Sequence, residues 1–188
     1  MSTLQKIIYL HGFASNSNSK KGCFLKEFFG ERVICPNLTS KPTEDIPLIK
    51  GLLRKYQSAV IVGSSLGGFY AEYFSNLNSL DTLLINPLTD VALMEPFIGQ
   101  HSYFDSNDSF QFTLEDFIYM KDISRFKDIG SGNKIIILAK NDDKIPYIGS
   151  IKHYNNINEK IVLYNYGGHS FNERNEIIGH LNQLINSK

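Results

Sequence analysis

Short apolar segments alternate along the chain with stretches in which apolar residues recur every three or four positions. The apolar segments predict six strands, at residues 6–10, 32–35, 58–62, 82–86, 134–139 and 160–164. The intervening stretches predict five helices, at residues 21–29, 44–56, 66–76, 147–154 and 173–185. This alternation indicates an α/β domain with a mostly parallel sheet of six or seven strands and helices on both faces.

Residues 87–132 interrupt the alternation, because they are too many for one helix and two short loops. The segment is rich in aromatic residues, namely Phe97, Tyr103, Phe104, Phe110, Phe112, Phe117 and Tyr119. We expect a small helical insertion, and two interpretations stay open: helices packed against the sheet, or a cover over an active site. No linker or repeat divides residues 1–188, which favours a single domain.

Composition narrows the possible partners. The 188 residues carry 19 Lys plus Arg and 19 Asp plus Glu, so the formal net charge is zero and no basic field favours nucleic acid. The apolar runs are too short to span a membrane, and the first residues lack the features of a secretory signal. Cys23 and Cys35 have no metal-binding or redox spacing. These features favour a cytoplasmic protein and do not indicate its oligomeric state.

The strongest chemical signal is a G-x-S-x-G pattern, Gly63-Ser64-Ser65-Leu66-Gly67, between a predicted strand and a predicted helix. A nucleophilic serine needs such a turn, which lifts its hydroxyl above the sheet, and the two glycines let the strand and helix backbones approach closely. We therefore predict Ser65 as a nucleophile. A glycine-rich turn that serves only packing or phosphate binding is the alternative.

The same turn predicts part of an oxyanion hole. The N–H of Leu66 lies in a first helical turn, where backbone donors lack partners and the helix dipole favours negative charge. His11-Gly12-Phe13 follows the first strand, where this architecture places its second donor, so we predict the Phe13 N–H for that role. We expect His11 to brace the loop rather than to act as a base.

A serine nucleophile also needs a base and an acid that orients the base. His169 lies in a glycine-containing loop between the last strand and the last helix, which makes it the preferred base among five histidines. The expected order of serine, acid and histidine places the acid between residues 65 and 169. Asp142 and Asp143 follow the fifth predicted strand, and we prefer Asp142, with Asp143 as the alternative acid.

These motifs resemble the α/β-hydrolase superfamily in a minimal form, and more narrowly the YqiA-type small bacterial esterases. The resemblance also draws on Asn86-Pro87, Ile98-Gly99-Gln100 and the segment from Gly167 to Phe171. It departs at His11 and Asn141, where the family is expected to have glutamine and glycine. The resemblance implies a carboxylesterase that acts on short acyl esters or thioesters, without a metal or organic cofactor.

Two functions from different classes therefore remain. The first is a serine esterase or thioesterase that forms an acyl-enzyme on Ser65 and acts on a small-molecule acyl substrate. The alternative is a non-catalytic binding protein with the α/β-hydrolase fold, which would hold a small ligand without turnover. The complete set of serine, histidine and aspartate favours the enzyme.

Overall fold

The computed structural model describes residues 5–126, 130–154 and 159–186. Its strands are β1 (Ile7–Leu10), β2 (Val33–Ile34), β3 (Val60–Ser64), β4 (Thr82–Ile85), β5 (Gly99–Ser102), β6 (Ser109–Phe112), β7 (Lys134–Ala139) and β8 (Glu159–Tyr164). The α-helices are α1 (Lys20–Phe29), α2 (Pro42–Lys55), α3 (Leu66–Asn78), α4 (Leu114–Ser124), α5 (Tyr147–His153) and α6 (Arg174–Asn186). Short 3₁₀ helices span Gly30–Arg32 and Val91–Phe97.

The main sheet contains the six predicted strands in the order β2-β1-β3-β4-β7-β8, and every neighbouring pair is parallel. The predicted fold class is thus confirmed. The third strand lies two residues later than predicted, because Ser64 still pairs with Ile85 of β4. The second strand is reduced to Val33 and Ile34.

Both faces of the sheet are covered, as a parallel sheet requires. Along β1, Ile8 and Leu10 belong to a buried cluster that contains residues of α2 and α3, whereas Ile7 and Tyr9 belong to a second cluster, with residues of α1 and α6. Successive side chains of a strand point to opposite faces, so one short apolar segment contributes to both cores.

The segment at residues 87–132 is not only helical. It contains the 3₁₀ helix Val91–Phe97, an antiparallel hairpin of β5 and β6, and α4, which begins with a capping box at Thr113. In β6, Phe110 and Phe112 are buried while Ser109 and Gln111 are exposed. This two-residue period is that of a strand with one buried face, so it selects a hairpin over a helix.

Parallel strands place all their carboxyl ends at one edge of the sheet, where ligands bind in open α/β folds. The loops after β1, β3, β7 and β8 therefore meet there, and they contain Phe13, Ser65, Asp142, Asp143 and His169. Of the other predicted site residues, Gly63 lies in β3, and Leu66 and Gly67 lie in the first turn of α3. Among the described helices, none is long and apolar enough to cross a membrane.

Candidate active site

Ser65 occupies a sharp turn between β3 and α3. Its backbone has φ 54° and ψ −119°, a conformation that L-residues rarely adopt. A side chain at Gly63 would overlap the Gly67 carbonyl, and one at Gly67 would overlap the Leu10 carbonyl. Only glycine at these positions lets the strand, the turn and the helix come together, so the spacing of the motif follows from sterics.

His169 reaches Ser65 from the loop after β8. Its Nε2 atom lies 3.1 Å from Ser65 Oγ. The loop turns through Gly167 and Gly168, whose φ angles are 98° and 59°, and the buried Phe171 side chain packs beneath Gly167. The glycines therefore allow the turn and the phenylalanine holds it against the core.

Asp142 contacts the other ring nitrogen of His169. Its Oδ1 and Oδ2 atoms lie 3.0 Å and 2.9 Å from Nδ1, and its side chain is only 1% exposed. The backbone N–H groups of Lys144 and Ile145 also donate to Oδ1, at 2.8 Å and 2.9 Å. Burial by itself raises the pKa of Asp142, but the hydrogen bonds from His169 and these amides outweigh it and hold the pKa below its ordinary value.

A carboxylate at Asp142 selects the proton position on His169. With the proton on Nδ1, the ring donates to Asp142 and leaves the Nε2 lone pair facing the Ser65 hydroxyl. Asp143, the alternative acid, is 69% exposed and pairs with Lys144 at 3.3 Å. The structure therefore brings Ser65, His169 and Asp142 into one hydrogen-bonded chain and leaves Asp143 in solvent.

The loop after β1 runs beside Ser65. A Cβ atom on Gly12 would lie 3.3 Å from Ser65 Cβ, which places the following Phe13 backbone at the rim of the site. Leu66 is the first residue of α3. Within the described ranges, neither the Phe13 N–H nor the Leu66 N–H donates to an acceptor.

The insertion at residues 87–132 contacts the same loop through the Phe13 ring. Phe13 makes edge-to-face contacts with Phe97, His101, Phe110 and Phe112 at centroid distances of 5.0–5.7 Å. The Phe104 N–H donates to the Ala14 carbonyl at 2.9 Å. The hairpin and the 3₁₀ helix thus fix the loop that carries one predicted oxyanion donor.

His11 supports this loop from below. It is buried, its Nδ1 atom lies 3.0 Å from the Gly12 carbonyl, and its Nε2 atom accepts the Leu38 N–H at 3.0 Å. Burial lowers the pKa of His11, which favours the neutral ring that these two bonds require. Both nitrogens are occupied, so the ring braces the loop.

The sequence assigned no role to two further residues at the site, Asn86 and Lys21. Asn86, directly after β4, donates from Nδ2 to the carbonyls of Gly168 and His169 at 2.8 Å and 3.0 Å. Lys21 of α1 is buried and donates to the carbonyl of Ser170 and to Asn172 Oδ1. Neither residue type carries a catalytic signature; only the order of the strands could have placed Asn86 beside the histidine loop.

Two cavities in the described part of the chain lie away from Ser65. One of about 380 Å³ is lined by residues of α2 and α3, among them Lys50 and Arg54. The other, of about 50 Å³, is lined by residues that include Glu72 and His153. Ser65 lines neither cavity, so cavity volume does not identify the site formed by Ser65, His169 and Asp142. Within the described residues, no group of three or more His, Cys, Asp or Glu side chains could hold a metal ion.

Comparison with known proteins places the chain in a family. The profile of the uncharacterised protein family UPF0227 matches residues 6–188. The chain belongs to UPF0227. A UPF0227 protein of Shewanella woodyi is 28% identical over 149 residues, which cover 73% of this chain and 75% of that protein.

Solved structures show the fold of this UPF0227 member. Mouse alpha/beta hydrolase domain-containing protein 10 superposes with a TM-score of 0.77 at 14% identity, over 100% of this chain and 92% of its own. A monoacylglycerol lipase of Paleococcus ferrophilus superposes with a TM-score of 0.72 at 13% identity, over 97% and 94%. The predicted α/β-hydrolase resemblance is confirmed by this fold and by the family.

Proposed function

We propose that this UPF0227 protein is a serine hydrolase that cleaves carboxylic esters through an acyl-enzyme on Ser65. The observation that carries the proposal is the hydrogen-bonded chain from Ser65 through His169 to Asp142. It lies at the carboxyl edge of a parallel sheet, in a fold that solved hydrolases share. A fold hosts many functions, so the proposal rests on the side chains rather than on the fold.

The first half of the reaction forms the acyl-enzyme. Ser65 Oγ attacks the acyl carbon while its proton passes to His169 Nε2, and Asp142 stabilises the resulting imidazolium. The carbonyl oxygen gains negative charge and accepts hydrogen bonds from the Leu66 and Phe13 N–H groups. Within the described residues, neither of these groups donates to another acceptor. Collapse of the intermediate breaks the ester bond, and the imidazolium returns its proton to the departing alcohol.

The second half repeats these roles with water. His169 Nε2 removes a proton from a water molecule, whose oxygen attacks the acyl carbon. The same two N–H groups hold the oxyanion, and Ser65 leaves with the proton from His169. The products are the free acid, the alcohol and the unchanged enzyme, so no cofactor is consumed.

The surroundings of Phe13 support an acyl ester as the proposed substrate. Phe97 and Phe104 are 42% and 78% exposed, and both belong to the segment that contacts the loop after β1. An exposed aromatic rim favours an apolar acyl group, and the monoacylglycerol lipase with this fold acts on an ester. We propose small acyl esters as substrates, with acyl thioesters as the closest variant.

The test compares the wild type with Ser65→Ala on p-nitrophenyl esters and acyl-CoA thioesters of graded chain length. We expect hydrolysis of short-chain esters, with kcat at least about 10³-fold lower in Ser65→Ala. The neighbouring Ser64→Ala variant is the matched control and is expected to keep its activity. Undiminished hydrolysis in Ser65→Ala, or no turnover of any ester or thioester by the wild type, would contradict the proposal. Ligand binding without turnover would instead favour the non-catalytic alternative.

A further inference from the structure

Asn86 links β4 to β7 and to the loop after β8, the two elements that lead to Asp142 and His169. It follows β4, is 2% exposed, and donates its own N–H to the Ile137 carbonyl of β7 at 2.8 Å. Its Oδ1 atom accepts the Ala139 N–H at 2.8 Å, at the end of the strand that leads into the Asp142 loop. Its Nδ2 atom donates to the carbonyls of Gly168 and His169 on the loop after β8.

The amide of Asn86 has only one orientation that satisfies all these partners. The reversed amide would place an oxygen against two carbonyl oxygens and an NH₂ group against the Ala139 N–H. The backbone of Asn86 has φ 41°, in the left-handed region that asparagine and glycine tolerate better than other residues. Both the side chain and the backbone therefore specify asparagine here.

The residues after Asn86 extend the same connection to the nucleophile. Leu88 donates its N–H to the Ser65 carbonyl at 3.0 Å, and Pro87 packs against Gly68 in the first turn of α3. The turn at residues 86–88 consequently contacts the elements that hold Ser65, His169 and Asp142. Of these contacts, those of the Asn86 side chain are the ones that can be removed without changing the backbone path.

We propose that Asn86 is a positioning residue that sets the distance between His169 and Asp142 by tying both of their loops to β4. It does not reach the reacting atoms and acts through the two loops. Loss of its amide removes the donor to the half-buried carbonyls of Gly168 and His169, and the histidine loop is then free to shift relative to Asp142. The expected fall in kcat rests on the proposed function, whereas the expected shift of His169 relative to Asp142 does not.

The first test is kinetic and uses two variants. Asn86→Gly removes the side chain while keeping a backbone that tolerates positive φ, and Asn86→Asp is nearly isosteric but places an oxygen against the two carbonyls. We expect kcat, per folded protein, to fall by about 10- to 100-fold in both variants with little change in KM, because a displaced catalytic base slows chemistry more than binding. Asn78→Ala is the control for loss of an asparagine side chain, since the exposed Asn78 donates to the Phe74 carbonyl at 2.9 Å within α3 and lies away from the site.

The second test needs no turnover. In protein labelled with ¹⁵N-histidine, the Nδ1 proton of His169 bonded to Asp142 is expected to give a resonance far downfield in the wild type and in Asn78→Ala, and to be lost or displaced in both Asn86 variants. If one of the two Asn86 variants does not fold, the kinetics and the His169 resonance are measured on the other. A wild type without activity but with this resonance would overturn the proposed function and leave the positioning role to be judged by the spectra. Asn86 variants that lose thermal stability yet keep kcat and an unchanged His169 resonance would overturn the positioning role.

Discussion

Adjacent aspartates with the same chemistry occupy opposite environments in the loop after β7. Asp142 is buried under His169 and accepts two backbone N–H groups, whereas Asp143 is exposed and pairs with Lys144. Successive residues of a loop rarely point the same way, so one of the two had to lose contact with the histidine. The geometry of the loop, and not the residue type, therefore decides which of the two carboxylates contacts His169.

Replacement of each aspartate should separate these environments. Asp142→Asn is expected to lower kcat by about 10³- to 10⁴-fold, because an amide stabilises neither the required tautomer nor the imidazolium. Asp143→Asn is expected to change kcat little, since an exposed ion pair contributes little. Steady-state kinetics of the two variants on the same ester make the comparison. Equal losses in the two variants would contradict the assignment of Asp142.

At the scale of elements, the hairpin of β5 and β6 connects the insertion to the loop after β1, which carries the proposed oxyanion donor Phe13. Phe110 is buried, lies 5.3 Å from the Phe13 ring, and pairs with His101 across the hairpin. The predicted helical insertion missed this hairpin, although the alternation at residues 109–112 and the polar turn residues at 105–108 were visible in the sequence. Short strands in an aromatic segment lack the length that would make the pattern decisive.

Trimming Phe110 should disturb the loop after β1, and with it the proposed oxyanion donor Phe13, more than the fold. In Phe110→Leu the ring contact with Phe13 is lost, and we expect kcat to fall by about 10-fold. This loss is smaller than the one expected when an oxyanion donor is removed, because the Phe13 N–H is displaced but still present. The control is Phe74→Leu, because Phe74 is as deeply buried but contacts Tyr73 instead. Both substitutions should lower stability by about 1 kcal/mol, and only the first should lower kcat. The same kcat in both variants would show that the hairpin does not position Phe13.

At the scale of the whole molecule, the parallel sheet was predictable because its strands are short, apolar and separated by clear helical periods. The sequence also indicated Ser65, Asp142 and His169, since motif spacing and chain order constrain those residue types. It did not indicate what Asn86 and Lys21 do, because their contacts depend on which strands and loops become neighbours in three dimensions. Bounds were less accurate at β2 and β3, where pairing with neighbouring strands decides the ends.

Lys21 connects α1 to the loop before α6 and makes the stability of the fold depend on pH. Burial lowers its pKa from 10.5 to about 8. Between these values the unfolded chain binds more protons than the folded chain, so the free energy of unfolding rises with pH. Relative to Lys21→Met, the wild type is expected to gain up to about 3 kcal/mol between pH 7 and pH 10.5. Urea denaturation of both proteins across this range measures the difference, and parallel pH curves would contradict the lowered pKa of Lys21.

The central claim is that Ser65 carries the acyl group, and mapping a covalent adduct tests it most directly. The protein is treated with an organophosphate that forms a stable ester with activated serines, and the modified peptide is identified by mass spectrometry. The account predicts one adduct, on Ser65, which is absent in His169→Ala because the hydroxyl then lacks its base. An adduct on another residue, or hydrolysis of esters by a protein that forms no adduct on Ser65, would contradict the account.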